Sequence, residues 1–227
     1  KVIKIESAYS FFTLIPSIVS FTFNPFQENT FIIYDETKEA LVVDPGCYFP
    51  EERERLKSLI ASKELHLKGI ISTHSHLDHV FGNKFVMEEF NVGLTIHKED
   101  LQTLKLLKAT ADKYGVPNVE ESPEPTNFIK EGEQIKFGNS TLDVVFVPGH
   151  APGHIAFISH EDNFVINGDC LFQGSIGRTD LPGGNMEQLL DSIRTQLFTL
   201  PDNYAVYCGH GPSTTIGYEK INNTFLQ

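Results

Sequence analysis

Four apolar runs in this chain end in the same way, with core-type residues followed by histidine or aspartate beside glycine or proline. "LKGIISTHSHLDH" delivers His74, His76, Asp78 and His79, "VVFVPGH" delivers His150, "FVINGD" delivers Asp169 and "YAVYCGH" delivers His210. One histidine after a strand is usually a surface residue or a hydrogen-bonded core residue. Four such endings are a different matter. They constrain the strands to lie together with their ends converging, and imidazole and carboxylate gathered at such a point are metal-ligand chemistry.

The segments between these runs predict how the strands are carried. "VSFTFN" (19–24), "TFIIYD" (30–35) and "EALVVDPG" (39–46) follow one another at hairpin spacing. "PEERERLKSLIAS" reads as a helix entered at Pro50, "GNKFVMEEFN" as a second and "KEDLQTLKLLKATADKYG" as one long third, with the strand "GLTIH" before it. The acidic, proline-rich "VPNVEESPEPTNF" is expected to be an exposed loop. The second half repeats the pattern in kind, with strands "EQIKF", "TLDVVFVP", "HIAFISH" and "NFVING", the helix "MEQLLDSIRTQLFTL" and the strand "YAVYCG". Two groups of strands, each followed by helices, predict an α/β fold with two sheets face to face and helices outside, a four-layer α/β/β/α sandwich. Residues 1–18 read as an N-terminal extension and residues 19–227 as one domain.

Charge removes one class of partner. With 18 Lys+Arg against 30 Asp+Glu the formal charge is -12, which repels a phosphate backbone and argues against nucleic acid. Cys47, Cys170 and Cys208 form no disulfide framework and fit a reducing compartment, so a cytoplasmic location is expected. "YSFFTLIPSIVS" loosely imitates a signal peptide, but Glu6 interrupts the basic region, Pro16 breaks the apolar run and no A-x-A site follows. No stretch is long and apolar enough to span a membrane, and the expected partner is a small molecule.

The order H-x-H-x-D-H (His74, His76, Asp78, His79), then His150, Asp169 and His210, resembles the metallo-β-lactamase-fold hydrolases from about Phe21 onward. Within that family, "GDCLFQGSIGRTDLPGGN" and "GHGPSTTIGYEK" are similar to the short bacterial glyoxalase-II-like (hydroxyacylglutathione hydrolase-like) proteins. The resemblance implies a first metal on His74, His76 and His150, a second on Asp78, His79 and His210, and Asp169 bridging them. The donor set suits two divalent ions, Zn²⁺ foremost, with iron or manganese also compatible. Two such ions can share a hydroxide, a nucleophile at neutral pH, which Asp78 would help to orient. The implied reaction is hydrolysis of a small anionic thioester of the hydroxyacylglutathione type.

Other residues carry two readings. Arg178, in "GSIGRTDLPGG", either holds a substrate carboxylate or pairs with Asp180 and fixes its own loop. Pro212 and Asp180 stand where the family pattern has aromatics, so the thiol half of the substrate stays open. "GRTD" also resembles persulfide dioxygenases, which would use one iron on His74, His150 and Asp169; a β-lactamase is the third reading. His154 either orients a loop or ligand from outside the ligand set or is a satisfied core histidine. Cys170 and Cys208 are expected in the core, Cys170 facing away from Asp169 by strand alternation.

Overall fold

The computed structural model describes residues 17–227. Among the described residues, ten of the fourteen strands lie on the runs read as strands in the sequence, and the registers of all fourteen build two six-stranded sheets and one small hairpin. The first sheet runs in the order β1 (Ser17–Phe23), β2 (Glu28–Tyr34), β3 (Glu39–Val43), β4 (His66–Ile71), β5 (Leu94–His97), β6 (Asn127–Ile129). The second holds β7 (Gln134–Phe137), β8 (Ser140–Phe146), β9 (Ile155–Ser159), β10 (Phe164–Gly168), β13 (Ala205–Cys208) and β14 (Thr214–Thr215), with β7 and β14 at its edges. Between β10 and β13 lies the hairpin of β11 (Leu171–Phe172) and β12 (Ser175–Ile176).

Strand alternation explains the layers. On β2, Phe31 and Ile33 join the core between the sheets while Ile32 joins the core beneath the helices. The same division separates Phe157 from Ala156 on β9, and Ile166 from Val165 on β10. A strand buried on both faces needs a continuous apolar run, which is why β2, β9 and β10 read as unbroken rather than alternating. Each fully buried Ile or Phe here contributes about 1.5–3 kcal/mol. Helices α1 (Pro50–Ser62) and α3 (Asn83–Phe90) cover the outer face of the first sheet; α6 (Met186–Ser192) covers that of the second. The fold is the four-layer α/β/β/α sandwich.

Strand direction then positions the polar ends. β3 and β4 are parallel, so Asp44 after β3 and His74 after β4 emerge at one edge. β10 and β13 are also parallel, and β8 shares their direction because both are antiparallel to β9. His150, Asp169 and His210 therefore follow strands that all point toward the same rim, where α/β sheets place their ligands.

The structure departs from the sequence reading in several places. The long third helix is broken at Leu106 into α4 (Leu101–Lys105) and α5 (Leu107–Tyr114), preceded by a 3₁₀ turn; Leu104 and Leu107 stay on the core on either side while Leu106 turns outward. Asn127 and Phe128, expected in a loop, form β6 with Ile129, because backbone pairing with β5 decides a strand at a sheet edge and composition does not report it. Ser17 and Ile18, counted with the N-terminal extension, begin β1; the rest of that extension lies outside the described residues. Helix α7 (Ile216–Asn222) was not anticipated. It is tied down by the buried carboxylate of Glu219, which accepts from Gly174 N (2.9 Å), Thr214 Oγ1 (2.5 Å) and Asn223 Nδ2 (2.8 Å). No helix among the described residues is long and apolar enough to cross a membrane.

Candidate metal centre

After β4 the chain bends at Thr73, is extended again at His76 and then enters the single turn α2 (Leu77–Val80). Residues two apart on extended chain share a side, so the His74 and His76 rings meet with centroids 4.8 Å apart. The helical turn then carries Asp78 and His79 toward the same point. The rim opposite supplies His150, Asp169 and His210, so all seven residues singled out in the sequence come together.

Their inner atoms are closely spaced. His150 Nε2 lies 2.8 Å from His76 Nδ1 and 3.2 Å from His74 Nε2. His210 Nε2 lies 3.0 Å from Asp78 Oδ2, and His79 Nε2 lies 3.7 Å from the same oxygen. Asp169 faces both trios: Oδ1 is 3.4 Å from His79 Nε2, while Oδ2 is 3.6 Å from His150 Nε2 and 3.5 Å from His210 Nε2. His74, His76 and His150 form one group able to hold an ion, and Asp78, His79 and His210 another.

Hydrogen bonds on the outer side fix which nitrogens carry protons. The carbonyl oxygen of Arg178 can only accept, so His150 Nδ1 at 2.8 Å is the donor. Asp44 accepts Thr73 N–H (2.7 Å) and Thr73 Oγ1 (2.6 Å), and its Oδ2 is 3.2 Å from His79 Nδ1. The Thr73 hydroxyl already donates to Asp44, so at 3.1 Å it accepts from His74 Nδ1. His74 and His150 thus turn bare Nε2 lone pairs inward, and His79 points its Nε2 inward with Nδ1 held by Asp44. A third possible grouping, Asp44 with His74 and His79, is the support rather than a ligand set, since those atoms are engaged with Thr73 or each other.

Charge follows the same division. Burial drives the His74 pKa well below the usual imidazole value, and neighbouring histidines add to it; His76 is pushed down to about 3 by burial and by His150. Burial also opposes charge on His79, but the carboxylates of Asp169 and Asp78 outweigh it and raise its pKa. His210 is raised against its burial by the bond to Asp78. Asp78 and Asp169, despite burial, are held below the usual carboxylate range by these histidines. Inward lone pairs crowd one another, and the buried atoms His79 Nε2 and Asp169 Oδ1 have no hydrogen-bond partner among the described residues. Buried acceptors facing acceptors are unfavourable alone and are satisfied by a cation, so these residues fit a divalent metal site.

One consequence is measurable. Without metal, the raised pKa values of His79 and His210 favour their protonated forms, and ligation must displace those protons. Titrating Zn²⁺ into metal-free protein is expected to release about one to two protons near pH 7, read calorimetrically in buffers of different ionisation enthalpy. Release should fall as pH rises through the elevated pKa values. A buffer-independent enthalpy would show both imidazoles neutral beforehand.

The remaining residues sort clearly. Arg178 donates from Nε and Nη2 to Asp180 Oδ1 and Oδ2, both at 2.7 Å, on an exposed loop; only its carbonyl reaches the centre. His154 is wholly buried behind His74, ring centroids 4.7 Å apart, with both ring nitrogens unpartnered among the described residues. His66 is exposed, His97 stacks on Phe146 and His160 bonds Tyr204 Oη. Cys170 and Cys208 are free and buried in the core, and burial holds the Cys208 thiol at about 12. Cys170 points away through a tight turn after β10, not by strand alternation: Gly168 has φ +51° and Cys170 N bonds Asn167 O at 3.2 Å. Sequence reasoning missed Asp44, although "EALVVDPG" ends with the same signature as the other runs. It also missed Thr73 and Glu28, which carry no local signal.

Sheet order, rim chemistry and donor set together define a metal-dependent enzyme of the sandwich type. The chain belongs to the Metallo-beta-lactamase superfamily, whose family model matches residues 23–210. It is 41% identical to Hydroxyacylglutathione hydrolase GloC of Haemophilus influenzae, over 88% of this chain and 93% of that protein. Among solved structures it resembles the BLEG-1 B3 metallo-beta-lactamase (TM-score 0.85, 31% identity, 93% of this chain and 100% of that one). It also resembles TTHA1623 in a di-iron-bound form (TM-score 0.83, 35% identity, 92% of this chain and 100% of that one).

Proposed function

We propose that the protein hydrolyses a small anionic thioester of the hydroxyacylglutathione type at a dinuclear centre. The observation that carries the reading is that both trios are complete and share Asp169, alongside the 41% identity to GloC. His74, His76 and His150 would hold one ion, Asp78, His79 and His210 the other, with Asp169 toward both. Bound there, two divalent ions, zinc foremost, supply Lewis-acid polarisation of an acyl carbonyl and a lowered pKa for water.

The chain's own residues set the conditions. Asp44, Thr73 and the Arg178 carbonyl keep three imidazoles in the tautomer whose Nε2 faces inward. Asp78, 3.0 Å from His210 Nε2, supplies a negative oxygen beside the reacting centre that can orient a water proton. Breaking the C–S bond releases a thiol that leaves readily as thiolate, so no strong general acid is needed. At the rim, a substrate carboxylate would exchange with Asp180 on the Arg178 fork. The one-iron reading on His74, His150 and Asp169 leaves the convergence of Asp78, His79 and His210 without a purpose.

The test compares a hydroxyacylglutathione with a thioester of the same acyl group and a short thiol. An Arg–carboxylate contact contributes roughly 1.5–3 kcal/mol, so Arg178→Ala should lower kcat/KM about 10- to 150-fold for the glutathione thioester only. Equal losses on both substrates would make Arg178 a loop-fixing partner of Asp180. Failure of the metal-loaded protein to cleave either thioester would end the hydrolase reading.

A further inference from the structure

The two trios share the Asp44–Thr73 support, which reaches both His79 and His74, and differ in a second one. The turn between β1 and β2, with the first residues of β2, reaches Asp78, His79 and His210. Asn24 Nδ2 donates to the Asp78 carbonyl (2.9 Å) and to Gly46 O (3.0 Å). Glu28 is wholly buried; Oε2 accepts from Thr30 Oγ1 (2.9 Å), and Oε1 lies 4.0 Å from His79 Nδ1. The Glu28 backbone forms an isolated antiparallel bridge with His210. Asn29 closes the other side of that loop: its N–H donates to Gly209 O (2.7 Å), and its Nδ2 to Cys208 O (3.0 Å) and Gly211 O (2.8 Å).

This segment is itself held in one shape. Asn24 and Gln27 both take left-handed φ, at +53° and +58°, and the Asn24 side chain accepts from Phe26 N at 2.9 Å to close the turn. Glu52 of α1 anchors it by accepting from Asn24 N at 2.6 Å. The loop it grips packs tightly on the centre: a Cβ on Gly209 would come within 2.2 Å of Asp169 Oδ1 and 2.7 Å of His79 Cε1. His74 and His150 are oriented instead through Thr73 and the Arg178 carbonyl.

We propose that residues 24–29 are a positioning clasp for the Asp78–His79–His210 half of the centre, setting its metal affinity separately from the His74–His76–His150 half. Asn29 and Asn24 are its positioning residues, acting through the main chain around His210 and Asp78. Loss of such outer hydrogen bonds lowers metal affinity about 10- to 100-fold. Here the loss falls on one half only. The inference rests on the dinuclear reading above and adds an origin for inequality between its two sites.

The experiment is a Zn²⁺ titration of metal-free wild type, Asn29→Ala and Asn24→Gly, followed by NMR of the histidine ring nitrogens. Glycine at position 24 removes the side chain without straining the left-handed φ. In both variants the His79 and His210 signals should need at least about tenfold more zinc to shift. The His74, His76 and His150 signals should respond as in wild type. Thermal unfolding of the metal-free proteins checks that the fold persists, and if Asn29→Ala does not fold, Asn24→Gly decides alone. The clasp is overturned if all five histidines weaken together or if none changes. Wild-type His79 and His210 that never respond to zinc would instead sink the dinuclear reading, and the clasp with it.

Discussion

Asp169→Ala is expected to lose both metal ions and all measurable hydrolysis, a larger effect than removing any single histidine. Its carboxylate faces both trios, with Oδ1 toward His79 and Oδ2 between His150 and His210, so one truncation takes a ligand from both halves. It also leaves two cations beside a smaller negative charge in a buried site. Stripping one partner from a buried charged cluster costs about 3–5 kcal/mol, equivalent to roughly 150- to 5,000-fold in affinity. Metal content after dialysis, measured by elemental analysis, reads the result directly. Asp169→Asn should fall between alanine and wild type, because it keeps the shape and one ligating oxygen without the charge. Cys170→Ser is the control: its side chain packs in the opposite core and should keep metal. Near-normal metal in Asp169→Ala would show that this carboxylate does not join the trios.

His79→Ala and His210→Ala are each expected to lower metal content by about one equivalent and to abolish most hydrolysis while leaving the first trio loaded. Both residues belong to the Asp78 group and not to the His74–His76–His150 group. His79→Ala should be the more severe for the fold as well. Its Nδ1 answers Asp44, and that buried carboxylate would keep only Thr73 as a partner. His210 is partly exposed, so its loss should leave the unfolding midpoint of the metal-free protein nearly unchanged. Full metal content in both variants would point to a mononuclear site on the other residues, as a one-iron oxygenase requires. The histidine variants and the Asn29 variant probe the same half at different depths, one removing the ligand and the other its support.

Much of this was legible in the chain because it depends on local signals. Continuous apolar runs specify strands buried on both faces, and a histidine or aspartate following such a run beside glycine or proline marks a strand end aimed at a rim. That pattern alone picks out His74, His76, Asp78, His79, His150, Asp169 and His210 and implies two sheets. What the sequence withheld depends on contacts between distant segments. Asp44 has the same local signature as the ligands, but only its placement 3.2 Å behind His79 and on Thr73 makes it a support and not a ligand. Arg178 reads as a side chain, yet what reaches the centre is its carbonyl, which every residue type possesses. β6 and the main-chain bond from Asn29 to Gly209 have the same origin. Backbone hydrogen bonds between residues far apart carry no residue-type code, so only the tertiary structure decides where they form.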